Sequence, residues 1–363
     1  MRQTRIQIAV FYRVTSNREI VHMGKMKVMA AAALAIGTVI CTPMLTASIG
    51  VAEEIKWLSG GLGTTASDEG KAAAKFVELV TERSNGRITL NHLHGGQLGN
   101  GQEEMEAVST GTQQVFISAG SQASRLVKAF GVIDAAFLFK DFGHMERFMK
   151  SDMGQELNQM LIDQFGVRVI ASNWFSLPRQ LMHTSKFIES VDDVKGVRVR
   201  TASVPMYVQN YENMGAIGVK IDYGEQYLAL SQGVVEMTES AANRILPTKL
   251  YEVAPYITEA DMMFPQVSVF VNEKAWQTLS PEDQKLITEA AEEAGRYQTK
   301  IAAEGFAKQR EEIIALGGKF YRMDDAVREQ FADNTRKNIT VMVEKGLIPD
   351  GWFEKIMALR DVN

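Results

Sequence analysis

The sequence predicts an α/β protein of two lobes, each assembled from separate stretches of the chain, with one long helix running along both. Stretches of β-forming residues and stretches of helical periodicity take turns from Glu53 onward, which is typical of α/β lobes. The chain of 363 residues, 45% of them hydrophobic and 23% charged, exceeds the usual size of one hydrophobic core. A helical pattern over residues 280–316 is too long for one small lobe.

The N-terminal segment, residues 1–52, has the pattern of a signal peptide. A short basic stretch precedes an almost wholly apolar run at 28–45, and small residues lie two positions apart just before Glu53. We therefore expect cleavage before Glu53, with Met23 or Met26 as alternative translation starts. An uncleaved membrane anchor is the other interpretation, because an apolar run of about 18 residues can just span a bilayer.

After the signal peptide, strand and helix patterns alternate. Ser67 is predicted to cap the first helix, because a serine side chain accepts a hydrogen bond from an amide near the start of a helix. The predicted strands of this part cover 55–58, 86–90 and 112–118, and the predicted helices cover 67–82 and 101–111.

The middle of the chain continues the same alternation. The run QVSVFV at 266–271 is strongly β-forming, and we interpret it as the chain passing from one lobe to the other. Before that run, strands are predicted at 167–173, 180–184, 197–201 and 217–221, and helices at 204–214 and 225–231.

The long helix has a clear start signal. Ser280 is followed by Pro281 and by Asp283 three positions on, the order of a cap, a first helical proline and an acid in the first turn. Helical periodicity then continues past Gly295 to Leu316. At about 1.5 Å per residue such a helix is roughly 50 Å long, so we expect it to contact both lobes. Two more helices are predicted in the tail, at 326–345 and 352–359.

Charge and cysteine content exclude several classes of function. The formal charge is −5 and no block of basic residues is present, so the chain repels nucleic acid and we expect no binding to it. The single cysteine, Cys41, lies inside the predicted signal peptide, so the exported chain has neither disulfides nor a thiolate nucleophile. We find no motif of a catalytic triad or a zinc hydrolase, and we predict that the protein is not an enzyme.

Two arginines lie two positions apart on the short strand predicted at 197–201. Arg198 and Arg200 therefore project from the same face of the strand. Taken alone, the pair is explained either by surface salt bridges or by a site for an anion.

Four motifs in the order and spacing of one family decide between these explanations. They are HGGQLG at 94–99, KGVRVR at 195–200, YGEQYLAL at 223–230 followed by GVVE at 233–236, and LYEV at 250–253. Across nearly all of residues 53–350 the chain resembles the extracytoplasmic solute receptors of tripartite ATP-independent periplasmic (TRAP) transporters. The resemblance implies a two-lobed periplasmic binding protein of type II-like architecture. It also implies lobes made of 53–176 plus 266–305 and of 177–265 plus 306–363.

The resemblance implies ligand-binding roles for matched residues. Arg200 matches the arginine that binds the ligand's acid group through two parallel hydrogen bonds, and Arg179 matches a second basic position near that group. Trp174 and Phe175 precede it, where an aromatic ring either covers the ligand or packs in the core. Tyr223 is expected to line the pocket.

The sequence departs from the family pattern after the third of these motifs. Ser240 replaces an asparagine that often binds the acid group, so either Ser240 or Asn243 takes that role. Glu239 matches a position that in some members helps to hold a metal cation bridging to the ligand. We otherwise expect no metal and no cofactor.

The function implied by the resemblance is that of a periplasmic transport receptor. It would capture a small organic anion, a carboxylate or a sulfonate, between two hinged lobes and deliver it to the small and large membrane subunits of a TRAP permease. A periplasmic sensor for a chemoreceptor or kinase, or less readily a periplasmic enzyme, are the alternatives.

Overall fold

Two β-sheets organise the part of the chain that the computed structural model describes, residues 54–361. The predicted signal peptide, the cleavage position before Glu53 and Cys41 lie outside the described residues. The strands are β1 (Ile55–Gly61), β2 (Ile88–Leu93), β3 (Val115–Ala119), β4 (Val167–Phe175), β5 (Arg179–His183), β6 (Arg198–Thr201), β7 (Ile217–Lys220), β8 (Met237–Ala241), β9 (Tyr256–Met263), β10 (Gln266–Asn272) and β11 (Lys319–Arg322).

Helices cover both faces of the two sheets. They are α1 (Asp68–Arg83), α2 (Gly101–Thr110), α3 (Phe142–Lys150), α4 (Asp152–Phe165), α5 (Pro205–Met214), α6 (Gln226–Ser231), α7 (Leu250–Val253), α8 (Glu273–Trp276), α9 (Pro281–Ala315), α10 (Asp325–Lys337), α11 (Ile339–Glu344) and α12 (Trp352–Ala358). Short 3₁₀ turns cover Gly120–Arg125, Lys128–Asp134, Val191–Val194, Tyr223–Glu225 and Ala242–Arg244. Within residues 54–361, none of the helices is both long and apolar enough to span a bilayer.

The first sheet has the strand order β2-β1-β3-β10-β4. Strand β1 runs parallel to β2 and β3, whereas β10 runs antiparallel to β3 and β4. Helices α1 and α9 pack on one face, and α2, α3 and α4 on the other. We call this sheet with its helices the first lobe.

The second sheet has the strand order β11-β9-β5-β8-β6-β7. Strand β6 is parallel to β7 and β8, β11 is parallel to β9, and β5 is antiparallel to both of its neighbours. Helices α5 and α10 cover one face, and α6, α7 and the end of α9 cover the other. This sheet and its helices are the second lobe. The fold is therefore α/β with two lobes built from discontinuous segments, as predicted.

The chain passes between the two sheets in three places. Residues 176–178 join β4 to β5, residues 264–265 join β9 to β10, and α9 is the third connection. The first two connections lie side by side, since the amide of Ser176 donates to the carbonyl of Pro265 at 3.1 Å. The run at 266–271, interpreted above as the crossing itself, is a strand of the first sheet, and the crossing lies just before it at residues 264–265.

Helix α9 has 35 residues and begins as predicted, because the Ser280 side chain accepts a hydrogen bond from the amide of Asp283 at 3.1 Å. Its first half packs in the core of the first lobe, and Ile313 near its end packs in a core of the second. Gly295 lets the helix lie against β4: a Cβ there would be 2.3 Å from the Trp174 ring, too close for any side chain.

The tail differs from the sequence prediction in two ways. It forms three helices rather than two, because the helix predicted at 326–345 is interrupted at Asn338 between α10 and α11. Residues Met342, Trp352 and Ile356 pack in the core of the first lobe, although 306–363 was assigned to the second. The rings of Phe148 and Trp352 lie 6.1 Å apart there. The C-terminal helices thus return to the first lobe.

Candidate ligand-binding cleft

Two adjoining cavities lie between the lobes, where carboxyl ends of parallel strands from both sheets meet. The loop after β1 and the turn after β3 approach from the first lobe, and the turn after β8 approaches from the second. Ligands of open α/β sheets bind outside the carboxyl ends of the strands. The cavities share Ser176, Arg244 and Val267. We call them the small cavity and the large cavity.

The small cavity has a volume of about 40 Å³ and combines charged with apolar walls. It is lined by Ala119, Ser121, Ile133, Asp134, Ser176, Arg179, Tyr207, Ala241, Arg244, Pro265, Gln266 and Val267. The large cavity has a volume of about 350 Å³ and is bounded by the start of α1, the turn after β8 and the middle of α9. It is lined by Thr64, Ala66, Ser67, Asp68, Glu69, Lys71, Ser176, Asn243, Arg244, Leu246, Pro247, Val267, Gln298 and Gln309.

Arg179 in the small cavity forms a buried ion pair with Glu239. Its Nε donates to Glu239 Oε2 and its Nη2 donates to Oε1 at 2.7 Å, so both carboxylate oxygens are engaged. Burial alone would lower the pKa of Arg179, but the charge of Glu239 raises it overall, so the guanidinium stays charged. The Arg179 Cζ also lies 5.7 Å from the centre of the Tyr207 ring, within range of a cation–π contact.

Two polar contacts join the walls of the large cavity across the cleft. The Asn243 Nδ2 donates to Asp68 Oδ2 at 2.9 Å, and an Arg244 Nη2 lies 3.5 Å from Glu69 Oε2. We call these the cross-cleft contacts. Burial raises the pKa of Glu69, while Arg244 and a hydrogen bond from the amide of Gly63 lower it. Asp68 and Glu69 belong to the first lobe, whereas Asn243 and Arg244 belong to the second, so these contacts hold the cleft in the closed arrangement.

Several buried side-chain atoms without a hydrogen-bond partner belong to residues that line these cavities. Among the described residues they include the Asp134 Oδ2, both side-chain amide atoms of Gln266, and the Oε1 atoms of Gln298 and Gln309. Buried polar atoms in folded proteins almost always have partners, and each one without a partner costs free energy. All of these atoms belong to residues lining the cavities.

The two arginines of β6 have different environments. Arg198 is exposed and pairs with Glu236 at 2.5 Å, which is the surface salt bridge considered above. Arg200 is 4% exposed, and its Nε donates to the carbonyl of Ile221 at 2.9 Å. Arg200 does not line either cavity. Burial raises the pKa of the Tyr211 hydroxyl well above its ordinary value, and the charge of Arg200 is close enough to Tyr211 to oppose this rise in part. Its contact with a ligand remains a prediction.

The aromatic residues predicted at the mouth of the cleft lie in the core. Trp174 is fully buried between β4 and α9, where its Nε1 donates to the carbonyl of Ala291 at 2.7 Å. Phe175 packs against Phe142 on the opposite face of the strand. Helices cover both faces of β4. In this structure both rings therefore pack in the core, which was the second of the two explanations given above.

Of the remaining predicted residues that the structure describes, Asn243 lines a cavity and Ser240 and Glu239 do not. Asn243 lines the large cavity and accepts a hydrogen bond from Ser176 Oγ at 3.1 Å, whereas Ser240 is buried in β8 and lines neither cavity. Glu239 lies behind Arg179, and within residues 54–361 no group of three or more His, Cys, Asp or Glu has the arrangement of a metal site. Tyr223 begins a 3₁₀ turn after β7, and its side chain lies outside what the structure describes.

Sequence reasoning missed Arg244, Asp134, Gln266 and the acidic start of α1. A signal existed for Arg244, because it follows Asn243 directly in the stretch that departs from the family pattern. Asp134 and Gln266 are brought together from distant parts of the chain, and nothing in their local sequence marks them.

Comparison with known proteins decides the family. The sequence profile described as "Bacterial extracellular solute-binding protein, family 7" matches residues 61–345, most of the chain. The chain belongs to this family. A solute-binding protein from Chromohalobacter salexigens is 28% identical over 284 residues, which are 78% of this chain and 84% of that protein. The 2,3-diketo-L-gulonate-binding periplasmic protein YiaO of Escherichia coli is 27% identical over 280 residues, 77% of this chain and 84% of that protein.

Solved structures show the same fold. A TRAP periplasmic solute-binding protein of Ochrobactrum anthropi superposes with a TM-score of 0.78 at 25% identity, over 85% of this chain and 95% of that one. A TRAP periplasmic solute-binding protein of C. salexigens with bound D-glucuronate has a TM-score of 0.74 at 25% identity, over 84% of this chain and 99% of that one. The predicted resemblance to TRAP solute receptors, and a solute-binding rather than a catalytic family, are confirmed.

Proposed function

We propose that this protein binds a small organic acid in the cleft between its lobes, in the periplasm, and delivers it to a TRAP membrane permease of one small and one large subunit. One observation carries the proposal: buried polar atoms without partners line two adjoining cavities beside Arg179 and Arg244. A ligand with one acid group and several hydroxyl groups supplies partners of both kinds.

The large cavity favours hydroxyl groups over a second acid group. The Oε1 atoms of Gln298 and Gln309 can only accept hydrogen bonds. A hydroxyl group donates to such an atom, whereas a carboxylate, which is an acceptor only, cannot. The charged residues that line the same cavity, Asp68 and Glu69 with Lys71 and Arg244, balance one another and leave no excess positive charge for a second acid group. We therefore infer a sugar acid, a hydroxylated monocarboxylate, rather than a dicarboxylate.

Two of the similar proteins support this class. The protein of E. coli is named for binding 2,3-diketo-L-gulonate, and the C. salexigens structure contains D-glucuronate. Both compounds are monocarboxylates with several oxygen substituents. The class is inferred for this chain from its own cavity, with which both names agree.

A thermal-shift screen tests the ligand class. The purified protein is heated with D-glucuronate, D-galacturonate, D-gluconate, succinate, malate or benzoate. A ligand present at 100 times its dissociation constant stabilises the folded state by about 2.7 kcal/mol, which corresponds to several degrees in Tm. We expect a shift with at least one sugar acid and a smaller one with succinate or malate. Stabilisation by dicarboxylates alone would contradict the sugar-acid class, and no shift with any acid would contradict the binding function itself.

A variant with a matched control then tests the cavity. Gln309→Leu removes an acceptor from the large cavity at similar volume, and Gln277→Leu makes the same change at an exposed position just after α8. Loss of one hydrogen bond should weaken sugar-acid binding roughly two- to tenfold in calorimetry. Gln277→Leu should bind like the wild type. Equal affinities of the two variants would contradict the assignment of the large cavity to hydroxyl groups.

Delivery to a permease is tested by uptake. Cells that express the protein together with both TRAP membrane subunits should accumulate the radiolabelled acid, and cells lacking any one of the three should not. Uptake that is independent of this protein would contradict its role as the transport receptor.

A further inference from the structure

Asp134 is a buried carboxyl group in the wall of the small cavity with an unused oxygen. It is the last residue of the 3₁₀ turn Lys128–Asp134 and is 6% exposed. Its Oδ2 has no hydrogen-bond partner among the described residues. A carboxylate oxygen in this situation costs free energy unless it is protonated or meets a donor.

The structure holds Asp134 firmly in this position. The Asn210 Nδ2 donates to the main-chain carbonyl of Asp134 at 2.8 Å, and the Asn210 Oδ1 accepts from the amide of Ala136 at 2.9 Å. The residue before Asp134, Ile133, packs in the core of the first lobe, and Ala136 after it packs in the core of the second. Asp134 therefore lies at the junction of the lobes, where a ligand must be enclosed.

The charges around the small cavity do not favour an additional anion while Asp134 is ionised. Arg179 is already neutralised by Glu239, and Arg244 faces Glu69 across the cleft. The other polar side chains that line the small cavity with Asp134 are those of Tyr207 of α5, Gln266 of β10, Ser121 and Ser176.

Arg179 and Arg244 are therefore each opposed by a carboxylate, so an ionised Asp134 would add a further negative charge beside the acid group of a ligand. Protonation of Asp134 removes this charge and with it the repulsion of the ligand anion. A protonated carboxyl also donates a hydrogen bond, which an ionised one cannot.

We propose that Asp134 binds the acid group of the ligand as a protonated carboxyl, so that the ligand and one proton are bound together. The proposal rests on the proposed function, since it assumes that an organic anion occupies the cleft. It makes Asp134 a ligand-binding residue whose carboxyl hydrogen lies between its own oxygen and an oxygen of the ligand.

Burial of the Asp134 carboxyl lowers the free-energy cost of protonating it near neutral pH. It raises the pKa of Asp134 from an ordinary value of 3.8 to about 7, with Arg179 lowering it and Glu239 raising it. A bound anion raises this pKa further, because it disfavours a second negative charge beside it. Affinity should therefore be constant below pH 7 and should fall above it, by up to tenfold per pH unit, until the pKa of the complex is reached.

Isothermal titration calorimetry with D-glucuronate tests the proposal. Titrations at pH 8 in buffers of different ionisation enthalpy, phosphate and Tris, give the number of protons taken up on binding. We expect about 0.9 proton per ligand, the ionised fraction of a group with a pKa of about 7. Between pH 8 and pH 9 the dissociation constant should rise roughly tenfold.

Two variants locate the proton. Asp134→Asn keeps the size of the side chain and a hydrogen-bond donor, so it should bind D-glucuronate with no proton uptake and with an affinity independent of pH. Glu104→Gln is the matched control, because Glu104 is another buried carboxyl with a pKa raised by burial to about 7 but lies outside both cavities. This control should take up protons like the wild type.

The possible failures are distinguishable. Wild-type binding of D-glucuronate without proton uptake, or proton uptake that persists in Asp134→Asn, would overturn this proposal and leave the proposed function standing. If D-glucuronate does not bind, the sugar acid with the largest thermal shift replaces it in these titrations; if the wild type binds none of the sugar acids, the sugar-acid class is contradicted, and the proposal for Asp134 fails with it.

Discussion

The two walls of the large cavity carry opposite chemistry. The wall from the first lobe presents Asp68 and Glu69 at the start of α1, whereas the wall from the second lobe presents Asn243 and Arg244 after β8. The small cavity continues the second wall with Arg179. The arginines that line the cavities therefore all lie on the second lobe, whereas the first-lobe wall carries two carboxylates together with Lys71.

This difference indicates how a ligand is oriented. An acid group gains from the arginines of the second lobe, and hydroxyl groups gain from the acceptors of the first lobe and of α9. The same difference makes the walls attract each other through the cross-cleft contacts. A ligand with an acid at one end and hydroxyl groups at the other satisfies both walls at once.

The largest expected effect comes from removing a positive charge of the second lobe. We expect Arg200→Ala to weaken binding of the organic acid thirtyfold or more, since loss of one partner of a buried charge pair costs about 2–5 kcal/mol. Arg198→Ala is the control on the same strand, because Arg198 is exposed and pairs with Glu236. Calorimetry of both variants measures the difference.

Near-native affinity of Arg200→Ala would remove Arg200 from the list of ligand-binding residues. The contrast between the walls would then rest on Arg179 and Arg244 alone, which are the arginines that line the cavities in this structure.

A smaller effect is expected from the cross-cleft contacts. Arg244→Gln and Glu69→Gln should each favour opening of the ligand-free cleft, visible as a larger radius of gyration in small-angle X-ray scattering. The pair is partly exposed, with Arg244 at 46%, so its contribution should be about 0.2–1 kcal/mol. The double variant should open no more than either single one. Arg296→Gln, which removes an exposed arginine paired with Glu292 on α9, should leave the scattering unchanged.

The smallest expected effect is on the stability of the ligand-free protein. The pKa of Asp134 and that of Glu104 are each raised to about 7 in the folded state, so the folded protein binds protons more tightly than the unfolded chain. Stability from these groups is complete below about pH 4 and is lost as the pH rises through about 7. Tm should therefore fall by a few degrees between pH 5 and pH 8.

Single substitutions measure how much each buried carboxyl contributes to the pH dependence of Tm. Asp134→Asn and Glu104→Gln should each reduce the loss of Tm, and Glu106→Gln, on the exposed side of the same helix as Glu104, should not. A pH dependence that neither buried variant changes would show that other groups cause it.

Local signals in the sequence were enough for the elements that frame the cleft. Ser67 caps α1 and Ser280 caps α9 as predicted, because a cap is decided by residues within one turn of it. The 35 residues of α9 were visible as unbroken helical periodicity. Their attachment to both lobes followed from length alone.

The aromatic residues of β4 show where local signals end. Trp174 and Phe175 alternate along a strand, but alternation does not reveal whether a face meets solvent, a ligand or a helix. Helices cover both faces here, so both rings are buried. Asp134 is a site residue that the local sequence did not reveal. Its position beside Arg179 depends on the fold of the second lobe and on Asn210, which is far away in sequence.

The attachment of α9 to both lobes has a mechanical consequence. Its first half is fixed to β4 through close packing at Gly295, and Arg310 near its end pairs with Glu259 of β9. One continuous helix cannot act as a free joint, so any opening of the cleft must bend α9 or break one of these attachments. We therefore expect separation of the lobes to strain α9, and we expect the axis of that motion to lie near the two short crossings beside Ser176 and Pro265.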